Sequence, residues 1–122
     1  MKTNTILALQ QRIWDDWTDC EQSGIKPEDV LTGARKIMGL QISDEQIEET
    51  CAHYRYAPDW TSRDEEVSDQ IREATDSEDP DKLYDWIEFI EGTHTADRIF
   101  EYFEETDEDP DEWGYYNFGF LH

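Results

Sequence analysis

An all-α fold is what this sequence predicts, a compact bundle of five to six short helices followed by an aromatic C-terminal tail. Three observations predict it. Apolar residues recur every three to four positions along most of the chain, the spacing that gathers them on one side of a helix. Proline, glycine and capping side chains cut the chain into lengths of helical size. The apolar/polar alternation of a half-buried strand occurs clearly only in the tail, where Tyr116, Phe118 and Phe120 fall on one side and Asn117 and Gly119 on the other. The tail is then either an extended segment laid across the helices or an exposed arm.

The first helix is expected from about Thr5 to Gln22, with Ile6, Leu9, Ile13, Trp17 and Cys20 as its buried stripe and Gly24 as its stop. Trp14 joins the apolar side, and Asp15 and Asp16 are expected to face outward beside Arg12. A second helix opens at Pro27, the favoured first-turn position for proline. Glu28 and Asp29 sit at its positive end, and it buries Val30, Ala34, Ile37 and Met38 before Gly39. Ser43 with Gln46 forms a capping-box pattern for a third, which presents Ile47, Cys51 and Tyr54 and ends before Pro58. Ser62 with Glu65 repeats the pattern for a fourth, with only Val67, Ile71 and Ala74 to bury. Asp79 and Pro80 open a fifth, with Leu83, Trp86, Ile87 and Ile90 inward and Gly92 as its stop. Thr95 caps a sixth, which buries Ile99, Phe100 and Phe103.

The 122 residues are one domain's worth of chain, read as helical over 1–105, with an acidic run and the aromatic tail over 106–122. Leu, Ile, Val and Phe number only 23, a share usual in disordered chains. Five Trp and six Tyr, which bury large areas each, tip the balance toward a folded but easily destabilised domain. There is no apolar leader at the N-terminus and no run of apolar residues long enough to span a bilayer. A soluble, cytoplasmic protein is expected, with Cys20 and Cys51 as reduced thiols.

Charge is the dominant feature. Asp and Glu number 32 against 10 Lys and Arg, a net charge of −22. Such a charge repels nucleic acid and anionic membranes and steers the protein toward a basic partner. It is also polarised: from Asp64 to Glu91 there are 12 acids and two bases, and from Glu104 to Glu112 the chain is almost continuously acidic. Over the first of these stretches the density is about one net charge per 4 Å of helical path, close to the spacing of about 3.4 Å along one DNA strand. Like charges at i, i+4 (Glu65/Asp69, Asp69/Glu73, Asp81/Asp85, Glu101/Glu105) each destabilise a helix by about 0.2–0.5 kcal/mol. Arg12 with Asp16, Arg72 with Asp76 and Lys82 with Glu78 are the compensating pairs. Solubility alone asks for far less charge.

Three functions account for the excess: a nucleic-acid mimic whose carboxylates occupy the phosphate sites of a basic protein, an immunity protein or antitoxin that caps a basic toxin, and general adaptation to high salt. Mimicry is the preferred reading. Its expected partner-binding residues are Asp64, Glu65, Asp69, Glu73 and Asp76 on and just after the fourth helix. Glu78, Asp79, Asp81, Asp85 and Glu88 follow around the fifth, then Glu101 and Glu105 on the sixth and Asp107, Asp109, Asp111 and Glu112 in the acidic run. Trp113 and Tyr115 are the candidate ring anchors, since aromatics supply interface energy while rim charges supply steering. The competing reading of the tail rings, and the favoured one, is that they complete a sparse core. If exposed, they also offer a homodimer contact.

In size, charge and expected helical build the chain resembles the small acidic proteins that phages and plasmids use against host defence, such as DNA-mimic antirestriction and anti-CRISPR proteins. The likeness is one of class and carries no residue-by-residue correspondence. It implies inhibition by binding, without catalysis, of a restriction enzyme, a CRISPR effector or another nucleic-acid enzyme.

Other chemistries fare worse on the same residues. Asp107, Asp109 and Asp111 have the spacing of a calcium loop, but Glu112 stands where that loop needs Gly and Phe118 where it needs a bidentate Glu. Cys51 and His53 lack further ligands at metal-site spacing; Cys51 reads as a buried thiol and His53 as a surface residue. No nucleophile elbow or phosphate-cradling glycine loop is present, and with 32 acids a carboxylate pair carries no signal. No cofactor, no metal and no enzymatic activity are expected.

Overall fold

The computed structural model describes residues 3–56 and 59–106, and within them the chain is all-α, with seven helices and no strand. The seventh arises from a division. The expected first helix is split into α1 (Thr3–Thr18) and a single turn, α2 (Cys20–Ser23), because Asp19 leaves helical geometry at φ −128°, ψ 34°. Local side chains compete with the backbone around this break: Thr18 Oγ1 donates to the Trp14 carbonyl (2.9 Å) and Ser23 Oγ to that of Asp19 (3.1 Å). Gly24, at φ 75°, stops the turn where the sequence places the stop.

Helix α3 (Pro27–Gly33) begins at its proline and runs into a wide π turn, Ala34–Met38, which Gly39 closes at φ 77°. Val30 and Ala34 are buried as expected, and Ile37 and Met38 are half-buried. Helix α4 (Asp44–Tyr56) carries the expected capping box: the Gln46 N–H donates to Ser43 Oγ (3.1 Å) and the Ser43 N–H to Gln46 Oε1 (3.0 Å). Helix α5 (Ser62–Thr75) is capped one residue earlier than expected, by Thr61 with Asp64. Helix α6 (Pro80–Glu91) starts at Pro80 with Asp79 as N-cap, accepting from the N–H groups of Asp81 and Lys82. Helix α7 (Thr93–Thr106) follows after Gly92, two residues before the expected Thr95 cap.

Helix α1 is the central strut, packed against α3, α5, α6 and α7, while α6 lies on α7, α3 and the π turn, and α4 bridges α3 and α5. Leu9 and Ile13 from α1, Val30 and Leu31 from α3, Ile71 from α5, Leu83, Trp86 and Ile87 from α6, and Ile99 and Phe103 from α7 form one core. Trp86 is fully buried, and its indole N–H donates to the Val30 carbonyl (3.0 Å), so the largest core side chain leaves no polar atom unsatisfied. It fits because residue 33 is glycine: a Cβ there would stand 2.9 Å from Phe89 Cδ1 and 3.0 Å from Trp86 Cδ1.

The expectation for Asp16 and Arg12 is overturned. Both are 1 % exposed, and neither faces solvent. Arg12 forms a fork with Glu91 of α6, Nε to Oε2 at 2.6 Å and Nη2 to Oε1, and lies 3.5 Å from Asp16 Oδ1. Asp16 Oδ2 is buried with no donor aimed at it. Two buried carboxylates thus share one guanidinium. Burial first, and then the Glu91 charge, push Asp16 up to about 9, which favours the protonated acid at neutral pH. Protonation leaves the cluster electrically neutral, which burial requires. Asp15, also expected outside, is half-buried and accepts from Gln11.

Cys20 and Cys51 are free and buried, and burial pushes both thiols up to about 12. Among the described residues no helix is long and apolar enough to cross a membrane.

Candidate functional site

Helices α6 and α7 each bury one stripe and present another. On α6, Leu83, Trp86 and Ile87 point inward and Asp81 and Asp85 are exposed, with Glu88 half-buried and accepting from Thr93 Oγ1 (3.1 Å). On α7, Ala96, Ile99 and Phe103 point inward, and Asp97, Glu101 and Glu105 are exposed at four-residue spacing. At 1.5 Å per residue each stripe presents a carboxylate about every 6 Å of axis. The helices pack on each other, and Asp81, Tyr84, Asp97 and Phe100 line one cleft between them, so the stripes meet along one edge. Two stripes side by side give about one carboxylate per 3 Å, near the phosphate spacing of one DNA strand, and Lys82 and Arg98, exposed on the same helices, lower the net charge.

On α5, Glu65, Glu66, Asp69 and Glu73 are exposed opposite the buried Val67 and Ile71. This helix packs on α1, α4 and the π turn, so its stripe is a second acidic surface, joined to the α6–α7 pair through the exposed Asp76, Glu78 and Asp79. Arg72 tempers it: its guanidinium lies 3.7 Å from Asp69 and 5.3 Å from the centre of the Trp14 ring, in place of the expected pairing with Asp76. Asp107, Asp109, Asp111, Glu112, Trp113 and Tyr115, with the calcium-like spacing and the aromatic tail, lie outside the described residues.

Asp64 does not belong to either surface. It is fully buried, and the expectation that it meets a partner is overturned. Its Oδ2 accepts from the Thr61 N–H (3.0 Å), the Thr61 hydroxyl (2.8 Å) and the His53 ring (2.6 Å), and its Oδ1 from the Thr50 hydroxyl (3.0 Å). Burial alone would raise its pKa. The Thr61 backbone and hydroxyl donors, helped by His53 and Thr50, outweigh that and hold it down at about 2. His53, read from the sequence as a surface residue, is instead half-buried and tied to this cap. Glu49, His53 and Asp64 offer ligand atoms within 4.8 Å of one another. Asp64 is already fully engaged as an acceptor, however, and Arg63 holds Glu49 at 3.3 Å, so the cluster joins α4 to α5 as a hydrogen-bonded cap.

Most arginines are engaged away from the exposed face of α6 and α7. Arg35 pairs with Asp44 (2.6 Å), Arg55 with Glu28 (2.7 Å) and Arg63 with Glu49, and Arg12 is buried. The consequence is polarity in three dimensions. Compensated charge gathers around α3 and α4, and exposed carboxylates dominate the surface of α6 and α7.

Sequence reasoning missed Asp97, Tyr84 and Phe100. Asp97 was legible, since it precedes Glu101 by one helical repeat. Phe100 was expected inside, but it is half-buried at the helix edge, its ring perpendicular to Tyr84 (87°, centroids 6.4 Å apart). No family model, curated protein or solved structure matches this chain.

Proposed function

We propose that this protein is an inhibitor that binds and blocks the basic nucleic-acid-binding surface of another protein, in the manner of the small acidic anti-defence proteins it resembles. The observation that carries this reading is the pair of exposed carboxylate stripes on α6 and α7, helices locked together by a packed core and carrying carboxylates at about the spacing of nucleic-acid phosphates. Carboxylates on a rigid support form charge-assisted hydrogen bonds with Arg and Lys side chains at little ordering cost, and each contact releases counterions as a phosphate contact would. The α5 stripe widens the attractive field and speeds encounter. Asp64 has no part in it.

The test is capture from a lysate of the cells in which the protein acts, eluted with a salt gradient and challenged with duplex DNA. A nucleic-acid-binding complex that leaves with salt, is displaced by DNA and is no longer captured by the folded Asp85→Lys/Glu101→Lys variant supports the reading. Undiminished capture by that variant would overturn mimicry through this face. A single basic toxin, bound with at least nanomolar affinity and indifferent to DNA, would make the protein an immunity factor. A domain that folds only in molar salt would assign the charge to solvent adaptation.

A further inference from the structure

Between α6 and α7, Asp81, Tyr84, Asp97 and Phe100 enclose an open cleft of about 280 Å³. Two of its walls are aromatic and two are carboxylate. The Tyr84 and Phe100 rings stand at 87° to each other, forming a corner that presents ring surface. The Tyr84 hydroxyl donates to Asp97 Oδ1, and that bond is the main reason its phenol is pushed up to about 12. The bond engages one oxygen of Asp97, orients the carboxylate along the cleft wall and enriches the phenol ring in electrons. Asp81 stands exposed on the other side.

We propose that this cleft takes an arginine side chain of the basic partner. The inference rests on the proposed function and narrows it, from a charged face to one seat for one kind of side chain. A guanidinium is planar and weakly hydrated, so it stacks on a ring while its edge donors reach carboxylates in the same plane. An ammonium meets the same charge without stacking or forking. The chain makes a related contact within itself, with the Arg72 guanidinium 5.3 Å from the centre of the Trp14 ring. A phosphate-binding surface of a nucleic-acid protein is rich in arginine, the residue that grips phosphate in a two-pronged fashion. The cleft is therefore where this protein adds selection for arginine to general attraction for positive charge.

The experiment uses the full chain and two synthetic peptides of equal length and charge, one with arginine and one with lysine at every basic position, titrated by calorimetry at fixed salt. The arginine peptide is expected to bind about fivefold more tightly, the scale of one stacked cation. Phe100→Leu, which keeps an apolar side chain at the helix edge, and Tyr84→Phe, which releases Asp97, should each remove most of that preference and leave lysine-peptide affinity in place. Replacing Glu65, Asp69 and Glu73 together by glutamine should weaken both peptides equally and leave the preference. Equal affinity of the wild-type protein for the two peptides, or a preference that survives both cleft variants, overturns the cleft while the acidic face stands. If neither peptide binds, the acidic-interface reading fails and the cleft with it.

Discussion

Replacing Asp16 by asparagine is expected to stabilise this protein at neutral pH, by an amount that grows as the pH rises. In the folded state Asp16 is held up at about 9 by burial and by Glu91, so it carries a proton at pH 7. In the unfolded chain an aspartate titrates near about 3.9 and has released that proton. The folded state therefore binds one more proton than the unfolded state between these values, and stability falls with rising pH across that window. One proton corresponds to about 1.4 kcal/mol per pH unit, which accumulates to about 4 kcal/mol by pH 7 as an upper bound. Asparagine is nearly isosteric and cannot titrate. Its carbonyl takes the place of Oδ1 near Arg12, and its amide puts a neutral group at the place of the buried, unpaired Oδ2. Urea unfolding followed by tryptophan fluorescence, run on both proteins from pH 5 to pH 8, reads the difference directly. The advantage of Asp16→Asn should increase by about 1.4 kcal/mol per unit, whatever constant offset the substitution adds. Parallel pH profiles would refute the assignment of a buried proton to Asp16.

Other substitutions probe the remaining parts of the fold. Thr61→Ala removes the hydroxyl that caps the Asp64 N–H and donates to the Asp64 carboxylate, and should cost about 1–2 kcal/mol in denaturant unfolding, while Ser62→Ala should change little. Asp64, held at about 2, contributes stability above the ordinary carboxylate range that is lost as the pH falls through its folded value, opposite in sign to Asp16. Thermal melts should accordingly place the stability maximum near about pH 4, below the usual range. Gly33→Ala drives a methyl group against Trp86 and Phe89 and should destabilise by about 1–3 kcal/mol, with a change in near-ultraviolet circular dichroism from the displaced indole. Glu73→Lys relieves repulsion with Asp69 one turn away and should raise the melting temperature slightly, by the equivalent of about 0.5 kcal/mol, while weakening partner binding. A loss of stability in that variant would argue that the acidic stripe has a structural purpose.

Local rules carried the helices a long way. Ser43 with Gln46 and Asp79 with Pro80 name their caps because each pattern has one reading. Thr61/Asp64 and Ser62/Glu65 are equally good capping boxes one residue apart, and local chemistry cannot choose between them. The choice falls to α4, whose Thr50 and His53 complete the Asp64 site and make its burial affordable. Asp16 shows the opposite failure. Spaced three residues from Ile13 and seven from Leu9, it lies on the buried stripe by periodicity alone, but its charge argues for solvent. The partner that reverses this is Glu91, far along the chain, and no local pattern announces it. The candidate site divides in the same way. The carboxylate stripes follow from helical repeat, whereas the cleft at Tyr84 and Asp97 depends on how α6 meets α7.

The position of α1 bears on how the chain is made. It is the strut against which α5, α6 and α7 assemble, yet it emerges from the ribosome before any of them. During synthesis Leu9, Ile13 and Trp17 wait uncovered, and Arg12 waits for a carboxylate from Glu91, which arrives only when α6 is complete. Closure over such sequence separations is slow relative to local helix formation. The negative charge then has a second use: it arrives mainly with the segment from Asp64 onward, and keeps nascent copies apart while the last helices are completed.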